Sequence, residues 1–284
     1  MKRKVPRMIW AILIAAVAGY LAAALMVFLM QGRLIYFPTR EMLGDPGQYK
    51  LPYQDVALRT SDGLVLYAWY VPPPAADGPV VLHCHGNGGN ISYRLDLIQV
   101  LRNAGAGVLA FDYRGYGHSE GVPDEQGTYR DAQAAWDFLT KITGIPPERI
   151  FVHGQSLGGG VAAELAERVK PAGLILDSTF TSLSDRGAEL FWFLPVRLLA
   201  RYRYPTIDRL AGLSCPVLIF HSPSDEVIPF RHGRRLFEAA HEPKRFVELT
   251  GDHNSCYEIS GEVYTRAIRD FMHDYVHPTP RSSH

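Results

Sequence analysis

The strongest constraint on the fold lies in residues 150–160, which read Ile-Phe-Val-His-Gly-Gln-Ser-Leu-Gly-Gly-Gly. An apolar run leads into a G-x-S-x-G pattern formed by Gly154, Ser156 and Gly158, and the spacing predicts a helix over 157–169. A serine between a strand and a helix lies on a sharp, strained turn, where a Cβ on either glycine would crowd the backbone. The helix N-terminus beneath it favours developing negative charge. Ser156 is therefore predicted to be a nucleophile on a strand–turn–helix unit.

Short apolar strands alternate with helices along most of the remaining chain. The predicted strands are 55–60, 64–71, 80–83, 107–111, 150–153, 174–176, 217–221 and 245–249. The predicted helices are 92–103, 128–142, 157–169, 231–240 and 262–275. This alternation predicts an α/β fold, a mostly parallel central sheet with helices on both faces. The Asp62-Gly63 turn predicts an antiparallel hairpin at one edge.

The N-terminal region predicts a single membrane-spanning helix. Residues 8–30 carry no charged side chain. As a helix, this stretch is long enough to cross a bilayer. Four basic residues precede this stretch, namely Lys2, Arg3, Lys4 and Arg7, and no acidic residue occurs before Glu41. The positive-inside bias then predicts a cytoplasmic N-terminus and an extracytoplasmic catalytic domain, periplasmic in a bacterium. A cleaved signal peptide and a buried helix of a soluble protein are the alternatives, although no small-residue cleavage site follows the stretch.

These features predict that the 284 residues divide into four segments. Residues 1–32 form the cytoplasmic tail and signal anchor, and residues 33–50 form a connector. Residues 51–276 form one catalytic domain, which is an ordinary size for a single domain. Residues 277–284 are predicted to form a polar, disordered tail.

Charge and cysteine content exclude several classes of protein. The chain has 29 basic and 29 acidic residues, so it lacks the basic surplus of a nucleic-acid binder. Residues 1–32 hold four basic residues and no acidic one, which leaves 25 basic and 29 acidic residues in the remainder. The three cysteines, Cys84, Cys215 and Cys256, form no CxxC pair and are predicted to be buried thiols.

A serine nucleophile needs a base, and the chain order on this scaffold is serine, acid, histidine. His253 lies in the loop after the last predicted strand, 245–249, which is where the base is expected. His221 precedes the candidate acid and breaks this order. His232 and His241 lie on a predicted surface helix, where solvated histidines are expected.

The acid of such a triad orients the imidazole and stabilises its charged form. Asp225 is the main candidate because it lies in the loop after the strand 217–221. Asp177, at the end of the preceding strand, is an alternative acid. Glu226 is predicted to point elsewhere, and Asp252 is too close in sequence to the histidine to reach its ring nitrogens.

Backbone N–H groups are predicted to bind the oxyanion of the tetrahedral intermediate. One is that of Leu157, directly after the nucleophile, and the other is that of Asn87 in the glycine-rich loop 85–90.

The His83-x-His85 pair lacks further ligands nearby, so it is interpreted as two buried histidines and no metal is predicted. The glycine-rich loop 112–119 lacks a dinucleotide-binding pattern, so no cofactor is predicted, and a bracing role is expected for this loop.

Taken together, these motifs resemble those of the membrane-anchored serine α/β-hydrolases, a group that includes eukaryotic protein depalmitoylases. The matching stretches are 34–38, 85–92, 112–117, 154–159, 178–182, 216–219 with Asp225, and 253–254. The resemblance implies the α/β-hydrolase fold and a triad of Ser156, Asp225 and His253. Asp252 and Ser222 stand where the family often has glycine. The cysteine-rich, lipidated N-terminus of the depalmitoylases is absent, so their substrate does not carry over.

These observations predict a membrane-tethered serine hydrolase of carboxylic esters or thioesters, with a small acyl-ester, thioester or lipid-like substrate. A peptidase of the serine aminopeptidase type and a catalytically silent membrane scaffold are the alternatives. The segment 180–204 contains an apolar run at 191–196. This run is expected to line an acyl pocket, to rest on the membrane, or to pack as a helix of the α/β layer. The segment is too short for a large lid, so an open site is expected.

Overall fold

A central eight-stranded sheet organises the computed structural model, which describes residues 7–276. The tail predicted at 277–284 and the basic residues Lys2, Arg3 and Lys4 lie outside the described residues. The strands are β1 (Phe37–Pro38), β2 (Gln54–Arg59), β3 (Val65–Val71), β4 (Val80–Cys84), β5 (Gly88–Gly89), β6 (Gly107–Phe111), β7 (Ile150–Gln155), β8 (Gly173–Asp177), β9 (Val217–His221) and β10 (Lys244–Glu248). The large sheet has the order β10-β9-β8-β7-β4-β6-β3-β2, and β1 and β5 form a separate pair.

The predicted mixed sheet is confirmed. Strands β4, β6, β7, β8, β9 and β10 pair in parallel, and β2 and β3 form the antiparallel hairpin at one edge. Every residue of β4, β6, β7, β8 and β9 is buried, which explains why these strands are continuous apolar runs and not alternating patterns.

Helices cover both faces of the sheet. They are α1 (Arg7–Ile35), α2 (Leu95–Asn103), α3 (Glu125–Asp137), α4 (Leu157–Val169), α5 (Leu183–Leu190), α6 (Val196–Leu199), α7 (Thr206–Leu210), α8 (Arg231–Ala239), α9 (Cys256–Ile259) and α10 (Gly261–Val276). One core layer contains buried residues of α3, α4, α7 and α8, and the other contains buried residues of α2 and α10. The two layers hold the sheet between them, as the alternating pattern predicted.

Two predicted helices have different limits in the structure. The helix predicted over 92–103 opens with a 3₁₀ turn, Ile91–Arg94, because Asn90 caps it by accepting a hydrogen bond from the Ser92 N–H at 2.9 Å. The helix predicted over 128–142 begins three residues earlier, where Asp124 accepts from the Gly127 N–H at 2.8 Å, and it ends in a π turn, Phe138–Ile142.

The segment predicted as a connector, 33–50, is packed against the catalytic domain. Helix α1 continues to Ile35, and β1 begins only two residues later and pairs in parallel with β5. Between them Tyr36 is buried, and its hydroxyl lies 2.7 Å from the hydroxyl of Tyr204. The helix therefore joins the domain without a flexible spacer.

The segment 180–204 forms two short helices, α5 and α6, in place of one packed helix. Neither of them has a buried residue, whereas α7, which follows, buries Thr206 and Leu210. The interpretation of this segment as a helix of the α/β layer is therefore wrong for α5 and α6.

We predict that Gly158→Ala sharply lowers stability. A Cβ at this position would collide with the backbone carbonyl of Cys84, which β4 holds rigidly. The expected loss is about 2 kcal/mol or more in the free energy of unfolding, measured by thermal denaturation in detergent. Gly88→Ala is the matched control because no atom lies within 4 Å of its Cβ position. Equal melting temperatures for the two variants would contradict the prediction.

Candidate active site

Ser156 occupies the tight turn between β7 and α4. Its backbone has φ 53° and ψ −118°, a positive φ that side-chain-bearing residues rarely adopt. A Cβ on Gly154 would lie 2.6 Å from the Cβ of Ala162, so only glycine fits there. The turn is fixed from both sides, because the Ser156 N–H donates to Asp177 O at 2.9 Å and the Thr179 hydroxyl donates to Ser156 O at 2.6 Å. Strain and rigid support coincide at the predicted nucleophile.

The structure brings Ser156, His253 and Asp225 into one hydrogen-bonded chain. His253 Nε2 lies 3.0 Å from Ser156 Oγ, and His253 Nδ1 lies 2.7 Å from Asp225 Oδ2. An ionised carboxylate only accepts hydrogen bonds, so Nδ1 carries the proton and Nε2 is left to accept from the serine hydroxyl. This is the tautomer that a general base next to a serine requires.

The carboxylate of Asp225 is buried and held in one orientation. Its Oδ1 accepts hydrogen bonds from the backbone N–H groups of Val227, at 2.9 Å, and Ile228, at 2.7 Å. This leaves Oδ2 to face His253. His221 Nε2 lies 2.8 Å from Ile228 O, and burial lowers the pKa of this histidine. His221, a rival base in sequence, therefore supports the loop that carries the acid.

Two further carboxylates shape the loop that carries His253. Glu226, predicted to point elsewhere, contacts the backbone of the histidine: its Oε2 accepts the N–H of His253 at 3.2 Å. Asp252 Oδ1 accepts the backbone N–H groups of Asn254 at 3.1 Å and Ser255 at 2.9 Å. Hydrogen bonds from Ser255 are the main cause that lowers the pKa of Asp252. Asp252 therefore closes the turn after β10, and the position of His253 depends on both acids.

Asp177, the alternative acid, is engaged elsewhere. Its Oδ2 accepts from the hydroxyl of Tyr264 at 2.9 Å and its Oδ1 from the hydroxyl of Ser178 at 2.9 Å. The side chain is fully buried, and burial raises its pKa to about 6. The same Tyr264 hydroxyl lies 3.0 Å from His153 Nε2, so Asp177 belongs to a polar network inside the core.

His232 is buried, so the expectation that it is solvated is wrong. Its Nδ1 lies 3.0 Å from the hydroxyl of Thr181, and its Nε2 lies 3.2 Å from Glu189 Oε2. Burial is the main cause that lowers its pKa. Residue His241 is exposed, as expected. The pattern of apolar residues along α8 did not show that the helix face carrying His232 packs against the segment after β8.

The two predicted oxyanion donors belong to segments next to Ser156, Leu157 directly after it in sequence and Asn87 in the loop that faces it. Leu157 is the first residue of α4, so its N–H has no acceptor within the helix. In the facing loop, a Cβ on Gly86 would lie 3.5 Å from the Cβ of Ser156. The next residue, Asn87, is held by its side chain, which donates to Ile35 O at 2.9 Å. Its carbonyl accepts from the Phe37 N–H at 3.0 Å, so the end of α1 and β1 position this loop.

The loop 112–119 braces the glycine-rich loop 85–90, as its sequence suggested. Tyr113 donates its hydroxyl to His85 O at 3.1 Å, and Tyr116 donates to Asn87 O at 2.8 Å. Asp112 Oδ1 accepts the Ile91 N–H at 2.8 Å, and burial raises the pKa of this carboxyl to about 7. Two tyrosine hydroxyls and a buried carboxyl thus hold the backbone of the glycine-rich loop and of Ile91 after it.

The motif histidines and the cysteines have structural contacts. His83 Nδ1 lies 2.9 Å from His153 Nδ1, whereas the ring of His85 packs 4.3 Å from that of Tyr113. The two histidines therefore point to different partners and do not form a ligand pair.

Residues Cys84, Cys215 and Cys256 are buried free thiols, which confirms the prediction made for the three cysteines. Burial raises the pKa of Cys215 to about 11 and that of Cys256 to about 12, so both thiols stay protonated at neutral pH.

Comparisons with known proteins agree with this architecture. A family model described as the alpha/beta hydrolase fold matches residues 79–205. The Mycobacterium tuberculosis protein Rv2307c is 40% identical over 263 residues, which cover 91% of this chain and 94% of that protein. The alpha/beta hydrolase domain-containing protein WAV2 of Arabidopsis thaliana is 35% identical over 280 residues, 89% of this chain and 91% of that protein. The solved structure of the Pyrococcus furiosus esterase Pf2001 superimposes with a TM-score of 0.73 at 20% identity, over 85% of this chain and 97% of that one, which shows the same fold.

We predict that Asp225→Asn and Asp177→Asn separate the two candidate acids. Asp225→Asn should lower kcat on a short p-nitrophenyl ester by about 10³- to 10⁴-fold, because an amide cannot stabilise the imidazolium. Asp177→Asn should leave kcat near the wild-type value, since its oxygens accept from Tyr264 and Ser178. A larger loss in Asp177→Asn than in Asp225→Asn would assign the acid to Asp177. Melting temperatures of both variants serve as the folding control.

Proposed function

The chain belongs to the α/β-hydrolase family, and we propose on this basis that it is a serine hydrolase that cleaves carboxylic ester or thioester bonds. The observation that carries the proposal is the unbroken chain of short contacts from Ser156 through His253 to Asp225. A serine hydroxyl is a weak nucleophile, and an adjacent neutral imidazole backed by a carboxylate is the arrangement that activates it.

The proposed reaction proceeds through an acyl-enzyme. His253 Nε2 takes the proton from Ser156 Oγ while the oxygen bonds to the carbonyl carbon, and the N–H groups of Leu157 and Asn87 bind the resulting oxyanion. The imidazolium then gives its proton to the departing alkoxide or thiolate as the tetrahedral intermediate collapses. A water oxygen then bonds to the acyl carbon while His253 takes its proton, and the imidazolium returns that proton to Ser156 Oγ as the second tetrahedral intermediate collapses and releases the carboxylic acid. Asp225 stabilises the imidazolium in both halves.

The exposure of helix α1 supports the proposed membrane anchor. The helix has 29 residues and none of them is buried, unlike the core helix of a soluble domain. Its length of about 43 Å exceeds the hydrocarbon thickness of a bilayer. Only 6% of its most apolar 18-residue stretch is buried within the protein. We propose that α1 tethers the hydrolase to a membrane, with the basic N-terminus on the cytoplasmic side.

We predict that Ser156→Ala removes esterase activity. Hydrolysis of a short p-nitrophenyl ester should fall by about 10⁴-fold or more, because the nucleophile is lost, and a fluorophosphonate probe should no longer label the protein. Ser61→Ala, at an exposed serine of the β2–β3 turn, should keep wild-type activity and labelling. Unchanged turnover in Ser156→Ala would contradict the proposal. An unlabelled wild-type protein would favour the silent scaffold, and cleavage of aminoacyl amides without esters would favour the peptidase.

We predict that the full chain stays in the membrane fraction after an alkaline carbonate wash. An alkaline phosphatase fused to the C-terminus should be active in a bacterial host, because that enzyme matures only outside the cytoplasm. Replacing Lys2, Arg3, Lys4 and Arg7 by glutamine should reduce the fusion's activity by weakening the charge bias. A mature chain that starts after residue 31, detected by mass spectrometry, would instead establish a cleaved signal peptide.

A further inference from the structure

The chain between β8 and α7 runs alongside α1, the proposed membrane anchor. We call residues 183–202 the crossover segment. Tyr20 on α1 donates its hydroxyl to Phe193 O at 3.0 Å, and the amide of Gln31 donates to Leu199 O at 2.9 Å. These two helix positions are eleven residues apart, which corresponds to about 16 Å along the axis. The crossover segment therefore follows the proposed membrane-spanning helix over roughly half the thickness of a bilayer.

The crossover segment exposes large apolar side chains where it lies beside α1. Trp192 and Leu198 are each 82% exposed, and Leu190 and Phe193 are each more than half exposed. Grouped exposure of this kind marks a surface that meets another apolar phase. Since the neighbouring residues of α1 lie within the proposed membrane span, the phase that covers them is the bilayer.

An apolar cavity separates the crossover segment from α1. Its volume is about 150 Å³, and most of its lining side chains are aliphatic or aromatic. Helix α1 contributes Val27, Phe28 and Leu34, and the crossover segment contributes Leu183, Leu194 and Leu199. A space with so few hydrogen-bonding groups suits a hydrocarbon chain better than a polar ligand.

Two residues that line the cavity are linked to groups next to the proposed nucleophile. Ile35 lines the cavity, and its carbonyl accepts the side chain of Asn87, the residue after Gly86 beside Ser156. Leu183 also lines the cavity, and it lies four residues after Thr179, whose hydroxyl donates to Ser156 O. An acyl chain seated in the cavity would have to extend from these residues to Ser156 for its ester carbonyl to react.

A polar contact adjoins the cavity where the apolar stretch of α1 ends. Gln31 lines the cavity and directly follows that stretch, which ends at residue 30. Its Oε1 accepts the backbone N–H of Arg201 at 2.8 Å, and the guanidinium of Arg201 lies 5.7 Å from the ring centroid of Phe28. Polar and basic groups at this end of a membrane-spanning helix suit the membrane–water interface.

We propose that this cavity is an acyl-chain subsite, open to the bilayer, which receives the hydrocarbon tail of a lipid ester while its carbonyl reaches Ser156. This inference rests on the proposed serine hydrolase function. It assigns the crossover segment and the last turns of α1 to substrate selection, and it makes a membrane-borne ester with a long acyl chain the preferred substrate class.

The test fills the cavity without touching the triad. Ala200 lines the cavity, and Ala200→Trp places an indole in it, whereas Ala76→Trp adds the same side chain at an exposed turn as the matched control. The full-length protein is reconstituted in phosphatidylcholine nanodiscs and assayed on p-nitrophenyl acetate and p-nitrophenyl laurate. We expect Ala200→Trp to lower kcat/KM for laurate at least about tenfold and to change that for acetate by less than about twofold. Ala76→Trp should change neither.

Either of two results would overturn the inference: an unchanged rate on laurate in Ala200→Trp, or an equal loss on both esters. A measurement on the wild-type chain removes any dependence on the folding of the variant. Phosphatidylcholine that carries a photoactivatable diazirine in its acyl chain should crosslink to peptides from α1 and the crossover segment. Crosslinks confined to other peptides would also overturn it.

The same assay distinguishes failure of the subsite from failure of the proposed function. If Ser156→Ala and the wild type hydrolyse both esters equally, the serine hydrolase proposal fails. If hydrolysis depends on Ser156 while Ala200→Trp has no selective effect on laurate, the hydrolase stands and the acyl-chain subsite does not.

Discussion

The close approach of α4 to the ends of β4 and β7 is the constraint on which the rest of the structure depends. Gly154 and Gly158 allow the helix to start directly beneath the strand, and this approach forces Ser156 to a positive φ of 53°. A larger residue at either glycine would push the helix away and relax the turn. The serine would then lose the fixed, partly buried position in which it contacts His253.

Loops at the carboxyl ends of parallel strands supply the partners of the serine. Such ends meet at one edge of a sheet, so the loops after β9 and β10 bring Asp225 and His253 to the turn after β7. Each partner is fixed by backbone contacts as well as by its neighbour. Asp225 accepts two N–H groups of its own loop, and the N–H of His253 is held by Glu226. The side chains therefore need little reorganisation to reach a productive geometry.

The sequence was most informative where local pattern and chain order determine the outcome. The buried strands were recognisable as apolar runs, and the order of serine, acid and histidine selected Ser156, Asp225 and His253, which the structure brings together. Their catalytic roles remain a proposal. Contacts between segments far apart in sequence could not be predicted in this way. The burial of His232 depends on the segment after β8, and the packing of residues 36–39 depends on a glycine-rich loop some fifty residues later. No periodicity records either contact.

The junction at Tyr36 has a consequence for where the hydrolase can act. A flexible spacer of 18 residues would let a tethered domain wander about 25 Å from its anchor. In this chain a single residue separates the end of α1 from β1, and β1 is hydrogen-bonded to the loop beside the nucleophile. With α1 seated in a bilayer, the short junction and the hydrogen bonds of β1 restrict the distance between Ser156 and the membrane surface. The enzyme then acts only on ester or thioester bonds that lie at this distance from the membrane surface. Bonds that lie closer to the membrane or farther from it do not reach Ser156, whatever their chemical reactivity.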